Sequence, residues 1–466
     1  MRPLETLIPI LLTVYLLWSL TGKKRPTVIA LLPALDLLVI AVHANIEGTR
    51  WQMIPLYAFA TVTFLLSVLT FKNPVVTGRP FRLIPSLILL AVSTALPFLL
   101  PVPSIPAPSG PYQVGTRIYE LTDESRKELY SGKDEARRFI IQIWYPAESS
   151  PNDPRAPWMA NADIFAPAIA TYIDMPSFFL DHLALVKIPA YQEARVASAA
   201  GGFPIIFFSH GWNGFNAQNT GQALQLASHG YVVVGVQHTY GAVVTVFKDG
   251  TIAKNNPAAL PSGAPDDEYE IAAHKLADQW AGDIGFSIDF LQAQNLDAGS
   301  PFYEVLDLSR IGVYGHSTGG GAAIQFCGID ARCQALLGLD PFMRPVSYEV
   351  LERGVSQPAF FMFSQAWADD LNSRNNQLFD PFYSISTDTY GAVSIDGTSH
   401  YDFSDLPLLS PLAPQLGLKG PINGKRVTAI LNDYLLSFFD MTLKGKATGL
   451  FENPSPYPEV KPKQSS

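Results

Sequence analysis

Four apolar runs crowd the first hundred residues of this chain, roughly Leu4–Leu20, Thr27–Ala44, Met53–Phe71 and Leu83–Leu100. A helix of ~20 apolar residues crosses a bilayer, and inside hydrocarbon every backbone amide and carbonyl must find its partner within the protein. The runs therefore predict an all-α transmembrane region of about four helices, residues 1–100. Pro9, Pro33, Pro55, Pro85 and Pro97 fall inside them, which membrane helices tolerate. A cleaved leader fits the first run poorly. Arg2 and Glu5 both sit at its amino end, and "SLTGKKRP" follows with no small-residue cleavage site.

Loop charge sets the expected orientation. Lys23, Lys24 and Arg25 separate the first two runs, and Lys72, Arg79 and Arg82 separate the last two, whereas Arg50 is offset by Glu47. Basic loops stay cytoplasmic. A multi-pass cell-membrane protein is expected, with both chain ends on the extracytoplasmic side. Asp36 lies within the second run. It should face other helices, either as a hydrogen-bonded packing residue or on a proton or ion pathway.

"PVPSIPAPSGP", residues 101–111, is a stiff, extended Pro-rich linker. It leads into a soluble domain, residues 112–466, whose tail "NPSPYPEVKPKQSS" reads as frayed. The acidic balance, 32 Lys+Arg against 41 Asp+Glu, argues against a nucleic-acid partner. Cys327 and Cys333 form no C-x-x-C motif and no His/Cys cluster surrounds them, so no metal site is expected. They are either a short-loop disulfide or two buried thiols.

The soluble part alternates strand and helix patterns. Residues 138–145, 203–208, 231–237, 310–315, 335–340, 358–364 and 391–397 read as strands. Helical patterns cover 217–230, 266 to about 295, 319–328 and 426–443. Strands that are apolar throughout and separated by helices predict a doubly wound α/β fold with a mostly parallel sheet.

Within that alternation, "GVYGHSTGGG" places Gly315-His316-Ser317-Thr318-Gly319 between a strand and a helix. G-x-S-x-G is weak alone. In this context it describes a strained turn that lifts a serine hydroxyl above the sheet edge, at a helix amino end that favours developing negative charge. A phosphate-cradling loop would need the Lys-Ser/Thr or G-x-G-x-x-G that is missing here. In α/β-hydrolases the base follows the nucleophile and the acid in the chain. His43, His182, His210, His229, His238 and His274 all precede Ser317, and His316 is expected to point away along the turn, so His400 in "DGTSHYDFSD" is the candidate base. The acid is open between Asp340, which ends one strand, and Asp369 or Asp370, which follow the next. Asp396, Asp402 and Asp405 lie too close to His400 along the chain to orient it easily. The candidate oxyanion donors are the backbone N–H groups of Thr318 and of Trp212 in "FFSHGWNG", with His210 propping that loop.

The blocks "FFSHGW", "VQHTYG…VFKDG", "GHSTGGG", "LLGLDPF" and "GTSHYDFSD" occur in the order seen in plasma-type platelet-activating factor acetylhydrolases, and related bacterial carboxylesterases and polyester hydrolases are similar. The resemblance runs from about Tyr112 to Leu443. It implies an α/β-hydrolase fold with Ser317 as nucleophile, His400 as base and Asp340 as acid, and it matches the Trp212 and Thr318 amides to the oxyanion hole. It further implies calcium independence, no cofactor, and short or oxidised acyl esters of phospholipids as substrates. Two departures stand out: the secreted enzymes lack the membrane runs, and Trp212 replaces the aliphatic residue usual after "HG". The apolar segment Ile164–Pro189 corresponds to a lipid-touching region and is expected to be a lid, an interfacial element or core packing. The leading expectation is a membrane-anchored serine ester hydrolase. The alternatives are a general carboxylesterase or polyesterase and, from another class, a transport or sensing protein with a non-catalytic hydrolase-like domain.

Overall fold

The computed structural model describes all residues except 22–24, 71–79, 150–151 and 465–466. Lys23, Lys24, Lys72, Arg79 and the side chain of Arg82, on which the expected orientation rests, lie outside the described residues. The chain divides into two compact units. The first takes in Met1–Pro103 together with Phe179–Val186 and Leu409–Leu412, and the second takes in the remainder.

The first unit is built on helices α1 (Pro3–Leu20), α2 (Thr27–Ile46), α3 (Ile54–Leu69) and α4 (Pro80–Leu99). Among the described residues, two helical stretches, Thr27–Ile46 and Trp51–Leu69, are long and apolar enough to cross a membrane, while Pro3–Ser19 and Leu83–Leu99 are apolar but shorter. Ile8, Leu12, Leu16, Val39, Leu56, Ala60 and Leu90 pack the interior. Leu31, Leu38, Leu65, Leu66, Ile88 and Val92 face outward. Polar side chains are turned in instead. Glu5 and Arg50 form a fully buried pair at 2.7 Å. The Arg50 guanidinium also donates to the carbonyls of Pro97 (3.0 Å) and Leu100, occupying carbonyls that the end of α4 leaves unpaired. Asp36 is buried, yet neither carboxylate oxygen has a hydrogen-bond partner among the described residues, so the expected packing hydrogen bond is absent. Trp51 Nε1 donates to the Phe179 carbonyl (3.2 Å), Gln52 bonds His182 (2.8 Å), and the Ser410 hydroxyl donates to the Leu99 carbonyl.

The second unit is a large mixed sheet. Its strands are β1 (Gln113–Lys127), β2 (Ala136–Glu148), β3 (Arg155–Pro157), β4 (Lys187–Gln192), β5 (Arg195–Val196), β6 (Phe203–Ser209) and β7 (Val232–Gln237). A small separate hairpin, β8 (Val244–Val246) and β9 (Ile252–Lys254), precedes β10 (Leu306–His316), β11 (Ala335–Leu339), β12 (Ala359–Ser364), β13 (Thr389–Ile395) and β14 (Val460–Pro462). The order is β14-β13-β12-β11-β10-β6-β7-β2-β1-β4-β3, with β5 paired to β2. From β7 to β13 every pairing is parallel, and β2 joins that block antiparallel to β7. Helices α5 (Ala162–Tyr172), α6 (Thr220–Ser228), α7 (Asp266–Leu296), α8 (Thr318–Ile329), α9 (Tyr348–Arg353), α10 (Gln365–Ala368), α11 (Arg374–Ile385) and α12 (Gly424–Lys444) complete the unit.

The parallel strands read as unbroken apolar runs because both faces are covered. Ile311 and Val313 of β10 point into a core shared with Ile284, Ile288 and Leu291 of α7. Their neighbour Gly312 faces α12, where a Cβ would come within 2.6 Å of the Phe439 ring. Two features depart from expectation. The tail is not wholly frayed: β14 pairs antiparallel with β13, giving that edge strand the partner it would otherwise lack. The β1–β2 antiparallel pairing also puts a long ribbon at the other flank, where partly polar strands disguise their period. Cys327 and Cys333 form a disulfide between the end of α8 and the start of β11.

Candidate active site

Ser317 sits in the turn from β10 to α8 with φ 57° and ψ −125°, a region that costs a non-glycine residue of order 1–3 kcal/mol. The turn is possible because the flanking glycines leave room. A Cβ on Gly315 would meet the Gly319 carbonyl oxygen at 2.1 Å, and one on Gly319 would meet the Ser209 carbonyl oxygen at 2.1 Å. Two further bonds lock it: Ser317 N–H donates to the Leu339 carbonyl (3.0 Å), and the Ser317 carbonyl accepts from Phe342 N–H (2.9 Å).

Asp340 follows β11, buried, with φ 45°. Its carboxylate accepts from Ser364 N–H (2.7 Å) and the Ser364 hydroxyl (2.6 Å) at the end of β12, and from His400 Nδ1–H (2.9 Å). Asp369 and Asp370 are exposed and stand apart from this cluster. Asp396 pairs with Lys461, Asp402 accepts from the Ser399 and Gly420 amides, and Asp405 accepts from the Gly221 amide. With Nδ1–H given to Asp340, His400 Nε2 is a bare acceptor. It makes no hydrogen bond with the Ser317 hydroxyl in this structure, although such contacts commonly tighten only when substrate arrives.

The loop after β6 brings Gly211 against Ser317: a Cβ there would lie 3.2 Å from Ser317 Cβ. Neither Trp212 N–H nor Thr318 N–H is used in a hydrogen bond among the described residues. The peptide that carries the Trp212 amide is fixed through its carbonyl, because the Gly211 oxygen accepts from His210 Nδ1–H (2.7 Å) and Gly214 N–H (2.8 Å). His210 Nε2 in turn accepts from His238 N–H (3.1 Å). Behind it His238 donates Nδ1–H to Asp283 (2.9 Å) and accepts from the Ser209 hydroxyl (2.9 Å). Burial pushes both histidines down, which favours the neutral ring in each. Burial would raise Asp283, but Arg137 and His238 outweigh it and hold the carboxyl well below its ordinary value. A buried network thus backs the loop that carries the candidate oxyanion donor.

Several neighbours were not legible as site residues. The His316 ring does not leave the site; it lies 4.5 Å from the His400 ring, with Nε2 bonded to the His400 carbonyl (3.0 Å) and Nδ1 to Gln218 (3.1 Å). Trp367 in α10 stacks on His400 at 4.2 Å. Its only sequence signal was its place just past a strand's carboxyl end. Tyr172, the last residue of α5, interacts with Tyr401 beside His400 and with Asn213 beside Trp212. Of the apolar segment from Ile164 to Pro189, α5 therefore borders the site, whereas Phe179–Val186 belongs to the helical unit. A cavity of about 450 Å³ on the flank of β1 and β2, walled by Phe165, Phe215 and Phe247, includes none of Ser317, Asp340 or His400. The described residues contain no grouping of His, Cys, Asp or Glu able to hold a metal ion.

Among solved structures, this fold matches a ferulic acid esterase from Streptomyces cinnamoneus with a TM-score of 0.64 and 25% identity, over 78% of this chain and all of that one. The chain is an ester hydrolase built on a mixed α/β sheet. Within that class, the sequence model described as platelet-activating factor acetylhydrolase, isoform II, matches residues 101–448, and the chain belongs to that family. The platelet-activating factor acetylhydrolase of Cavia porcellus is 28% identical over 363 residues, covering 73% of this chain and 78% of that protein. A probable 1-alkyl-2-acetylglycerophosphocholine esterase of Arthroderma benhamiae is 25% identical over 414 residues, covering 80% and 97%.

Proposed function

We propose that the chain is a membrane-anchored serine hydrolase that cleaves short or oxidised acyl esters of phospholipids. The observation that carries this reading is the 2.9 Å bond from His400 to a buried Asp340 beside the strained Ser317 turn. Ser317 Oγ attacks the ester carbonyl as His400 Nε2 takes its proton, and Asp340 stabilises the imidazolium. The Trp212 and Thr318 amides hold the oxyanion at the amino end of α8. Collapse expels the alcohol, which leaves with the proton from His400. Water then attacks the acyl-enzyme with His400 again as base, releasing the acid and restoring Ser317. None of these steps calls on a cofactor or metal.

The likeness to the Cavia porcellus and Arthroderma benhamiae proteins supports a glycerophospholipid with a short acyl group. The outward apolar side chains and inward polar ones of α1–α4 support a multi-pass anchor at residues 1–100. The Pro-rich segment 101–111 then links it to a catalytic domain at 112–466, and the basic loops between the first two and the last two apolar runs favour the extracytoplasmic side for that domain. A fluorophosphonate probe should label the wild type and leave Ser317→Ala unlabelled; equal labelling would remove the serine mechanism. An acyl-length series offered as free esters and as phospholipid vesicles separates a lipid-directed enzyme from a general carboxylesterase or polyesterase. Protease protection of an epitope at residue 466 in sealed cells reports the side on which the catalytic unit lies.

A further inference from the structure

His400 is bracketed. The Trp367 indole lies parallel to its ring, centroids 4.2 Å apart and planes 10° from coplanar. The His316 ring lies 4.5 Å away, tilted by 31°. Two rings this close to a third cannot share one of its faces, so Trp367 and His316 cover opposite sides. Each is itself anchored. Trp367 N–H donates to the Ser364 hydroxyl (3.2 Å), its carbonyl accepts from Asn376 (2.8 Å), and its ring meets Phe342 edge-on at 6.3 Å. His316 is held at both nitrogens by Gln218 and by the His400 carbonyl.

The two walls differ in what they do to a cation. An indole face attracts a positive charge laid on it. A second imidazole attracts none, and if protonated it would repel. The hydrogen bonds decide its state. The His400 carbonyl can only accept, so His316 Nε2 carries the proton. Gln218 then meets Nδ1 with its amide N–H, leaving that nitrogen a pure acceptor. Burial and the nearby His400 both push His316 well down, in agreement with a neutral ring.

Taking Ser317, His400 and Asp340 as the catalytic set, we propose that Trp367 and the His316–Gln218 pair are positioning residues. Both fix the plane of His400, and the Trp367 face favours its imidazolium as the proton from Ser317 arrives. The other groups around His400 do not compete for this role. Asp340 holds Nδ1, the Tyr401 ring is uncharged and 5.5 Å away, Asp402 is turned to the Ser399 and Gly420 amides, and Asp405 is turned to Gly221. Trp367 is thus the group whose removal takes a π face from His400 while leaving its carboxylate partner in place.

The test is the pH profile of kcat/KM for full-length enzyme in detergent with a short p-nitrophenyl ester. The neutral base is the active form, so a face that favours the cation raises the acid limb. Trp367→Leu and Trp367→Met should move that limb down by about half a pH unit and lower kcat about three- to tenfold, with KM within about twofold. Trp367→Phe should keep most of both. Gln218→Leu should lower kcat with less effect on the limb. An unmoved limb in both Leu and Met variants would overturn the proposal, even with kcat reduced, since lost packing alone would do that. Ser317→Ala, run in parallel, separates the outcomes: activity surviving there would defeat the serine mechanism itself.

Discussion

Ser364 holds the Asp340 carboxylate with both of its donors, the backbone N–H at 2.7 Å and the hydroxyl at 2.6 Å. The same hydroxyl accepts from the Trp367 amide as the cap of α10. One residue at the end of β12 therefore supports both Asp340 and the ring that stacks on His400.

Removing that hydroxyl takes one charge-assisted bond from a buried carboxylate. Ser364→Ala should lower kcat about tenfold to a hundredfold, the scale of a hydrogen bond to a charged group. Asp340→Asn, which changes the imidazole tautomer, should cost about 10⁴-fold. Steady-state kinetics with one chromogenic ester compares them, and an unchanged kcat in Ser364→Ala would show that the hydroxyl does not support Asp340.

Arg137 is fully buried and reaches Asp283 with two nitrogens (3.0 and 2.6 Å), Glu128 (2.5 Å) and the Thr239 carbonyl (3.1 Å). Cutting this network leaves buried charge under-compensated, Arg137 with Glu128 alone in one case and Asp283 with Arg126 in the other. Asp283→Asn or Arg137→Met should each cost about 3–5 kcal/mol, read from urea unfolding of the catalytic unit within the full chain. Because the folded Asp283 titrates below its ordinary value of 3.8, its contribution is complete above about pH 4 and is lost as the pH falls towards the depressed value.

Asp405 behaves in the opposite sense. Burial pushes its carboxyl up to about 7, against the Gly221 and Thr220 amides that pull it down. The folded chain then keeps a proton that the unfolded chain releases, so this group's contribution falls as the pH rises from about 4 to about 7. Asp405→Asn should flatten that part of the stability profile and gain up to about 4 kcal/mol at pH 8. Thermal melts at pH 5 and pH 8 would show it, and an unchanged difference between the two would rule the effect out.

The Cys327–Cys333 bridge closes a loop six residues apart in sequence. Loop-closure entropy assigns such a bridge about 2 kcal/mol. The Cys327→Ser/Cys333→Ser double variant should lose about that much under oxidising conditions, and dithiothreitol should bring the wild type down to the same level.

Much was readable from residue order because the causes are local. Apolar run length marks the helices of residues 1–100, and the unbroken hydrophobicity of Phe203–Ser209 and Val232–Gln237 marks strands covered on both faces. The G-x-S-x-G spacing describes a tight turn in which Gly315 is required by the Gly319 carbonyl four residues on, although Gly319 is required by the Ser209 carbonyl of a neighbouring strand. The edges were harder to read. β14 becomes a strand only because β13 has an open edge beside it, and the β1–β2 ribbon lacks a clean period.

The sequence by itself determined the helical character of residues 1–100, the α/β alternation, the Ser317 turn and the shortlist of partners, since each depends on periodicity, composition or chain order. Only the tertiary structure decided which carboxylate meets His400 and that Trp367 and His316 flank its ring. It also decided that Asp36 is buried with no hydrogen-bond partner among the described residues. Those relations join residues far apart in sequence, and their distances exist only once the strands have taken their register and the sheet has brought its carboxyl edges together.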